Sequence, residues 1–497
     1  MYSAKKISNL IRSKNSHFWQ SVQRRESLSL FHQMAESVPA YKDFLKHQHI
    51  SHKTVKKWSD FKKIPSISKK NYLRKYHLKE LLFGGKLDLP LVYTATSGST
   101  GPPFYFMRGE DLDWQYSVII EQFLENSTLD LKKPILVLVC FGMGIWIGGL
   151  ITYKAFEIAA KRNNYALSLI TPGINKQVIF NILQLLAPQY EQLVLVGYPP
   201  FIKDIIDESE TANLDLKKYR KAILFAAESI SEEFRDYIAD KAGIKNLFLD
   251  IMNIYGSADI GAMAYESSLS TLIRRIAQRN KHMFETVFQP INKTPTLSQY
   301  NPLFTNFEES EGEILLTGKN ALPLVRYAIG DKGGVFDYDQ IDDKLLSHGV
   351  SLKKEISKIG IGHSASRLPF VYIYERIDLS ATFYGLWIYP EWFRKALLLA
   401  PISRFLTGKF TLQTKFNSKQ DQYLEINLEL KKGVDQSDVD IDLILKKMID
   451  ALRENSSEYR ELSDKLKKQA WPRLKFWPNE SVNYFQPGIK QKWVKRP

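Results

Sequence analysis

Pro134-Ile-Leu-Val-Leu-Val-Cys140-Phe-Gly-Met-Gly144-Ile-Trp-Ile-Gly148-Gly-Leu-Ile-Thr-Tyr153 carries no charge from end to end. On length alone such a run could cross a bilayer. Its first half, however, is a short block of leucine and β-branched residues, which reads as a strand buried on both faces. Four glycines, Gly142, Gly144, Gly148 and Gly149, crowd its second half. Glycine supplies turns and weakens helices. A strand at 135–140, a glycine turn and a helix starting near Trp146 therefore fit the run better than a membrane span.

The same alternation extends to both sides. A strand-like 89–94 and a helix-like 112–125 precede the run, and a helix at 149–161 closes it. Strand 166–170, helix 176–186, strands 193–196 and 222–226 and helix 231–242 come next. Short apolar runs separated by helical patterns indicate a parallel α/β sheet. Residues 1–60 are polar and helix-like, and Ser66 or Ser68 caps a helix expected from Lys69 onward. Residues 285–335 are richer in strand, with one at 312–317. Past a charged stretch at 342–358 the pattern changes to strand 370–374, helix 390–399, a strand pair at 409–416 and 423–430, and helix 440–454. The expected architecture is α/β, with a large multi-layer N-terminal domain over 1–374 and a small, mobile α+β domain over 375–497.

The 497 residues are 44% hydrophobic and 25% charged, enough for a large core in two or three domains. The net charge of +15 attracts anionic partners such as nucleotides. It is spread in pairs such as Lys5-Lys6, Arg24-Arg25 and Lys431-Lys432, without a basic block, so no nucleic-acid partner is expected. Met1-Tyr-Ser-Ala-Lys-Lys has no apolar core behind it and is not a secretory signal. The single Cys140 excludes intrachain disulfides and cysteine zinc sites. A cytoplasmic protein without an integral membrane segment is the expectation.

Thr94-Ala-Thr96-Ser97-Gly98-Ser99-Thr100-Gly101-Pro102-Pro103 has no apolar face and reads as a loop. Its hydroxyls and glycine N–H groups suit a polyphosphate, although the run also reads as a rigid, proline-ended turn. It lacks the Gly-Lys-Ser/Thr ending of a Walker loop. Further islands are Asn253-Ile-Tyr255-Gly256-Ser257-Ala-Asp259, Leu324-Val-Arg326-Tyr-Ala-Ile-Gly330-Asp331 and Glu375-Arg376-Ile-Asp378, the last followed by Tyr384-Gly385 and Tyr389-Pro-Glu391.

In order and spacing these islands, with Phe141–Leu150 and Ala226-Ala227-Glu228, resemble the AMP-forming, adenylate-forming ligase superfamily. The branch they are most similar to is that of phenylacetate–CoA ligases and CapK-like capsule-biosynthesis proteins. The resemblance covers roughly residues 30 to 495. It implies an enzyme that joins a carboxylic acid to ATP as an acyl-AMP, releases pyrophosphate, and hands the acyl group to an acceptor. The acceptor is left open among coenzyme A, an amine, a sugar hydroxyl and a carrier-protein thiol. A nucleotide-binding scaffold of the same fold that has lost catalysis is the alternative.

By this resemblance Thr96, Ser97, Gly98, Ser99, Thr100 and Gly101 hold the β- and γ-phosphates, with Pro102-Pro103 where relatives often carry a lysine. In Tyr255-Gly256-Ser257 the ring stacks on adenine. Asp259, where most relatives have glutamate, helps hold Mg2+, or else it caps a helix. Glu228 is a second carboxylate for the same ion, or a solvated first-turn acid. Asp331 accepts from the ribose hydroxyls, as acids do at other nucleotide sites, or is a turn aspartate. Arg326 is structural and pairs with an acid. Arg376 and Asp378 mark the boundary at which the small domain rotates, or form a surface charge cluster. In Gln486-Pro-Gly-Ile-Lys490-Gln-Lys492, Lys490, and next Lys492, reaches the carboxylate and α-phosphate, or the segment is a frayed basic tail. Residues 142–149 with Gly197-Tyr198-Pro-Pro200 line the acyl pocket, or are plain core.

Overall fold

The computed structural model describes residues 2–95, 104–144, 147–289, 294–376, 380–397, 399–481, 483–485 and 493–495. Its centre is an eleven-stranded sheet. One half is parallel, in the spatial order Leu167–Ile170, Ile135–Cys140, Gln192–Gly197, Arg220–Ala226 and Ile251–Ser257. The other half is antiparallel and continues through Gly261–Tyr265, Thr296–Gln299, Phe370–Arg376, Leu324–Phe336, Glu313–Gly318 and Thr305–Ser310.

The run that decides the fold forms as its composition demands. All six residues of Ile135–Cys140 are buried, and the helix Ile147–Asn163 crosses from it to its parallel neighbour. Glycine is required where they meet, because a Cβ on Gly149 would lie 2.7 Å from the Gly142 carbonyl oxygen. Alternate strand side chains point to opposite faces. Val137 and Val139 join a core with Trp19, Phe31 and Tyr41 of the N-terminal helices. Leu136 and Leu138 join a second core that includes Phe383, Leu412 and Leu428 of the carboxy-terminal part. No described helix is long and apolar enough to cross a membrane.

The carboxy-terminal part has a three-stranded sheet, Leu406–Phe416, Gln422–Leu430 and Arg473–Trp477, with helices Ile441–Asn455 and Ser457–Leu466. Two expectations differ in detail. The large sheet's strand Phe370–Arg376 runs two residues past the boundary placed at 374. The helix expected from Lys69 is instead a turn followed by the 3-10 turns Leu73–Lys75 and Leu78–Leu81. Ser68 and Asn71 close on each other, each accepting from the other's N–H, at 3.1 and 2.6 Å. Ile67 just before them is bridged to the strand Leu324–Phe336. Local polar closure and that bridge override the helical propensity.

Asp250, just before the strand Ile251–Ser257, ties that strand to the end of the helix Glu110–Asn126. Its buried carboxylate accepts from the Thr128 N–H at 2.7 Å and from the Thr128 hydroxyl at 2.8 Å. Burial pushes its carboxyl up to about 6, against the pull of those bonds. A raised folded-state value stabilises the fold below the unfolded value and is lost as pH rises through about 6. The thermal midpoint is expected to fall between pH 5 and pH 7, and to fall less in Asp250→Asn. Equal slopes for the two proteins in a midpoint-against-pH series would refute this assignment.

Candidate active site

Parallel strands all end at one edge, and in open α/β sheets ligands settle there. At this edge Phe141 follows Cys140, Tyr198 follows Gly197, and Glu228 lies two residues past Ala226. The rings of Phe141 and Tyr198 meet edge to face at 4.9 Å. The two segments read as acyl-pocket walls thus lie side by side, with Cys140 opposite Gly197 in register. Ala227 is held at φ +76°, a region costly for a residue with a Cβ. The Glu228 carbonyl accepts from the Asn253 amide at 3.0 Å, tying this loop to the next strand.

That next strand carries Tyr255, whose hydroxyl donates to Asp331 Oδ2 at 2.5 Å. Three strands separate their own strands in the sheet order, about 20 Å if the sheet were flat. Among the described residues one pair, Tyr265 with Gln299, joins the sheet midway, and the Tyr255–Asp331 bond requires the sheet to bend between their strands. A bulge aims Asp331. Pairs Glu313–Lys332 and Leu315–Ala328 leave Ile329, Gly330 and Asp331 opposite Ile314 alone, and Gly330 takes φ +88°. Asp331 is opposite Arg376 in register, so the chain brings three of the expected site residues together. Tyr255 stacks on Phe307 with ring centres 6.1 Å apart. Gly256 is exposed, and a Cβ there would lie 2.8 Å from the Gly261 carbonyl oxygen. The Ser257 hydroxyl accepts from the Asp259 N–H at 3.2 Å. Arg326 is structural, as its sequence setting suggests. It pairs with Glu308 at 3.3 Å and donates to the Phe61 carbonyl at 3.1 Å.

Asp259 is buried and already engaged. It accepts from the Tyr327 hydroxyl at 2.6 Å and pairs with Lys69 Nζ at 3.1 Å. Lys69 also lies over the Phe106 ring, 5.6 Å from its centre. Phe106 pairs with Thr94 in the hairpin Val92–Ala95 and Tyr105–Arg108, from which loop 96–103 springs. A cation therefore stands between that loop's stem and Asp259. Sequence reasoning missed it. The missing lysine after Gly101 was a signal, but nothing local to the loop points 30 residues upstream to a replacement.

Glu228 is engaged too. Its carboxylate accepts from the Gly385 N–H, and from the Gln422 amide at 2.6 Å. Burial pushes its carboxyl up to about 7 although both N–H donors favour the ionised form. The two carboxylates expected at one Mg2+ thus have other partners in this structure. One carboxylate is neutralised by lysine and the other is taken up by the small domain. Among the described residues no three His, Cys, Asp or Glu side chains gather as a metal cage. The sites expected at Thr96, Ser97, Gly98, Ser99, Thr100, Gly101, Asp378, Lys490 and Lys492 lie outside the described residues, as does the side chain of Arg376.

No family model and no curated protein matches the sequence. Solved structures do. 2-Hydroxyisobutyryl-CoA ligase, in complex with 2-HIB-AMP and CoA in the thioesterification state, is similar at 14% identity and TM-score 0.62, over 100% of this chain and 94% of that one. The same ligase in the postadenylation state with 2-HIB-AMP gives 13% and 0.53, over 98% and 91%. Its open conformation with 2-HIB-AMP and CoA gives 13% and 0.51, over 96% and 91%. The chain has the adenylate-forming ligase fold, a large α/β domain followed by a small sheet-and-helix domain.

Proposed function

We propose that the chain is an ATP-dependent ligase that converts a carboxylic acid to its acyl-AMP and then transfers the acyl group to a thiol or another nucleophile. The observation that carries this reading is the Tyr255–Asp331 bond at the carboxyl edge of the sheet. An aromatic ring and a carboxylate from strands far apart in sequence meet there, and that pairing supports a nucleoside site. In the first step a substrate carboxylate oxygen bonds to the α-phosphorus of ATP and the bond to the β-phosphate breaks, releasing pyrophosphate. In the second the acceptor bonds to the acyl carbon, losing its proton, and AMP leaves.

Tyr255 packs on the base and Asp331 accepts from the ribose hydroxyls. Lys69, with residues 96–101, answers the charge of the departing phosphates, work done chiefly by positioned cations and N–H donors. Lys490 or Lys492 serves adenylation alone. Asp259 and Glu228, being otherwise engaged, hold no Mg2+ in this arrangement, and Mg2+ enters only as the counter-ion of ATP. Two of the solved ligase structures that this chain resembles were obtained with CoA, which makes coenzyme A the first acceptor to try. Kinship with phenylacetate–CoA ligases and CapK-like proteins rests on the motifs quoted above.

Acid-dependent exchange of labelled pyrophosphate into ATP is expected with at least one member of a panel of aryl and aliphatic acids. No exchange with any acid, together with no ATP binding, would remove the proposal. ATP binding without exchange would favour the scaffold reading. Asp331→Ala is expected to raise the KM for ATP at least tenfold, since a hydrogen bond to a charged acceptor is worth about 1.5–3 kcal/mol. Lys69→Met is expected to slow exchange by about tenfold to a hundredfold at saturating ATP. An unchanged rate in Lys69→Met would show that its charge never meets the phosphates.

A further inference from the structure

Hairpin tips normally face water, yet one in the small domain is buried. Strands Ala381–Phe383 and Leu386–Ile388 are joined by Tyr384-Gly385, at φ +48° and +79°, the pair of left-handed residues of a type I′ turn. Tyr384 is only 2% exposed. Its hydroxyl donates to Asp204 at 3.0 Å, on the large domain's helix Pro199–Thr211. Gly385 lies flat against Tyr198, and a Cβ there would come within 2.5 Å of that ring. The tip is therefore seated on the wall of the expected acyl pocket, between the ends of two parallel strands.

Glu228 is the acid that holds it. One oxygen accepts from the Gly385 N–H and the other from the Gln422 amide, while Gln422 accepts in turn from the Tyr384 N–H at 2.7 Å. Beside this ring of bonds, Lys203, whose side chain is wholly buried, pairs with its own helix's Asp207 and at 2.6 Å with Asp421 of the small domain. Donors and acceptors match one to one across the junction. A buried charge without a partner is costly, so Lys203 favours the seated tip, and Glu228 supplies the acceptors that the Gly385 N–H and the Gln422 amide need there.

We infer that Glu228 is a positioning residue. It docks the small domain by its Tyr384-Gly385 tip, and so sets up the transfer half-reaction without taking part in adenylation. This rests on the ligase reading for what the docked state does, but the docking itself does not.

The sole cysteine is buried, so spin labels can be placed at Asp240→Cys on the large domain and Lys446→Cys on the small one, both exposed. The parent is expected to give one narrow distance. Glu228→Gln turns an acceptor into a donor facing donors, and a second distance is expected in at least half of the molecules. Gln422→Glu added to Glu228→Gln reverses the polarity of the pair. The carboxylate introduced at position 422 accepts from the Tyr384 N–H and from the amide introduced at position 228, whose carbonyl oxygen accepts from the Gly385 N–H. The single distance is expected to return. Pyrophosphate exchange is expected to stay within twofold throughout, and thioester formation with coenzyme A to fall about tenfold in Glu228→Gln and recover in the double variant. Should Glu228→Gln not fold, Asp421→Asn, altering a half-exposed turn, is expected to show the same loosening. An unchanged distance in Glu228→Gln (or in Asp421→Asn, where that replaces it), or a double variant that stays loose, would overturn the inference. Tight, restorable docking in a protein that exchanges no pyrophosphate would leave Glu228's docking role standing and fell the ligase reading instead.

Discussion

Covering both faces of a stack of parallel strands is the constraint on which everything else in the molecule depends. Such strands cannot be joined by hairpins, so each needs a crossover, and every crossover returns the chain to begin the next strand at the same end. Their carboxyl ends accumulate along one edge. Phe141, Tyr198, Glu228 and Tyr255 are neighbours for that reason, although they span more than a hundred residues of sequence. The edge cannot be covered by its own sheet. It is left to other segments: the Thr94 hairpin, the antiparallel half, and the small domain.

Charge in the interior serves to hold these segments in place. Glu266 and Glu232 are buried with Arg235 and Arg274, and this cluster reaches out through two carbonyls. Arg274 donates to Ile230 at 2.6 Å and Arg235 to Ile251 at 2.9 Å. The first fixes the loop after Glu228 and the second the start of the strand bearing Tyr255. Ion pairs of this kind give little net stability against an apolar core, but breaking one is costly. They fit a need for one geometry over another. Arg326 repeats the device with Glu308 and Phe61, and by its bridge to Ile67 it carries the turn that presents Lys69.

The fold is legible in the sequence wherever the signal is local. Ile135–Cys140 is recovered to the residue, and the helices at 176 and 232 within one, because strand burial and helix caps write themselves into neighbouring positions. Tyr255 and Asp331 stand out because a tyrosine after an apolar strand and an acid after a glycine are short, chemically specific patterns. Lys69 does not stand out. One lysine among many is distinguished only by what folding sets beside it, and Ser68-Lys69 looks like any helix start. Glu228 misleads for the same reason. An acid after a strand suits a metal, a dipole or a partner domain equally, and only the partner tells which.

Residue order alone thus determines the alternation of strand and helix, the two buried faces of the strand Ile135–Cys140, and the glycine at position 330 that lets the chain bulge. These depend on side-chain period and backbone sterics, which act within a few residues. Tertiary structure decides that Tyr255 meets Asp331, that Asp259 is given to Lys69, and that Glu228 faces the Tyr384-Gly385 tip. Each of those pairings needs a desolvated site shared by segments distant along the chain, and the cost of leaving a charge or N–H unmatched there exists only once the chain has closed around it.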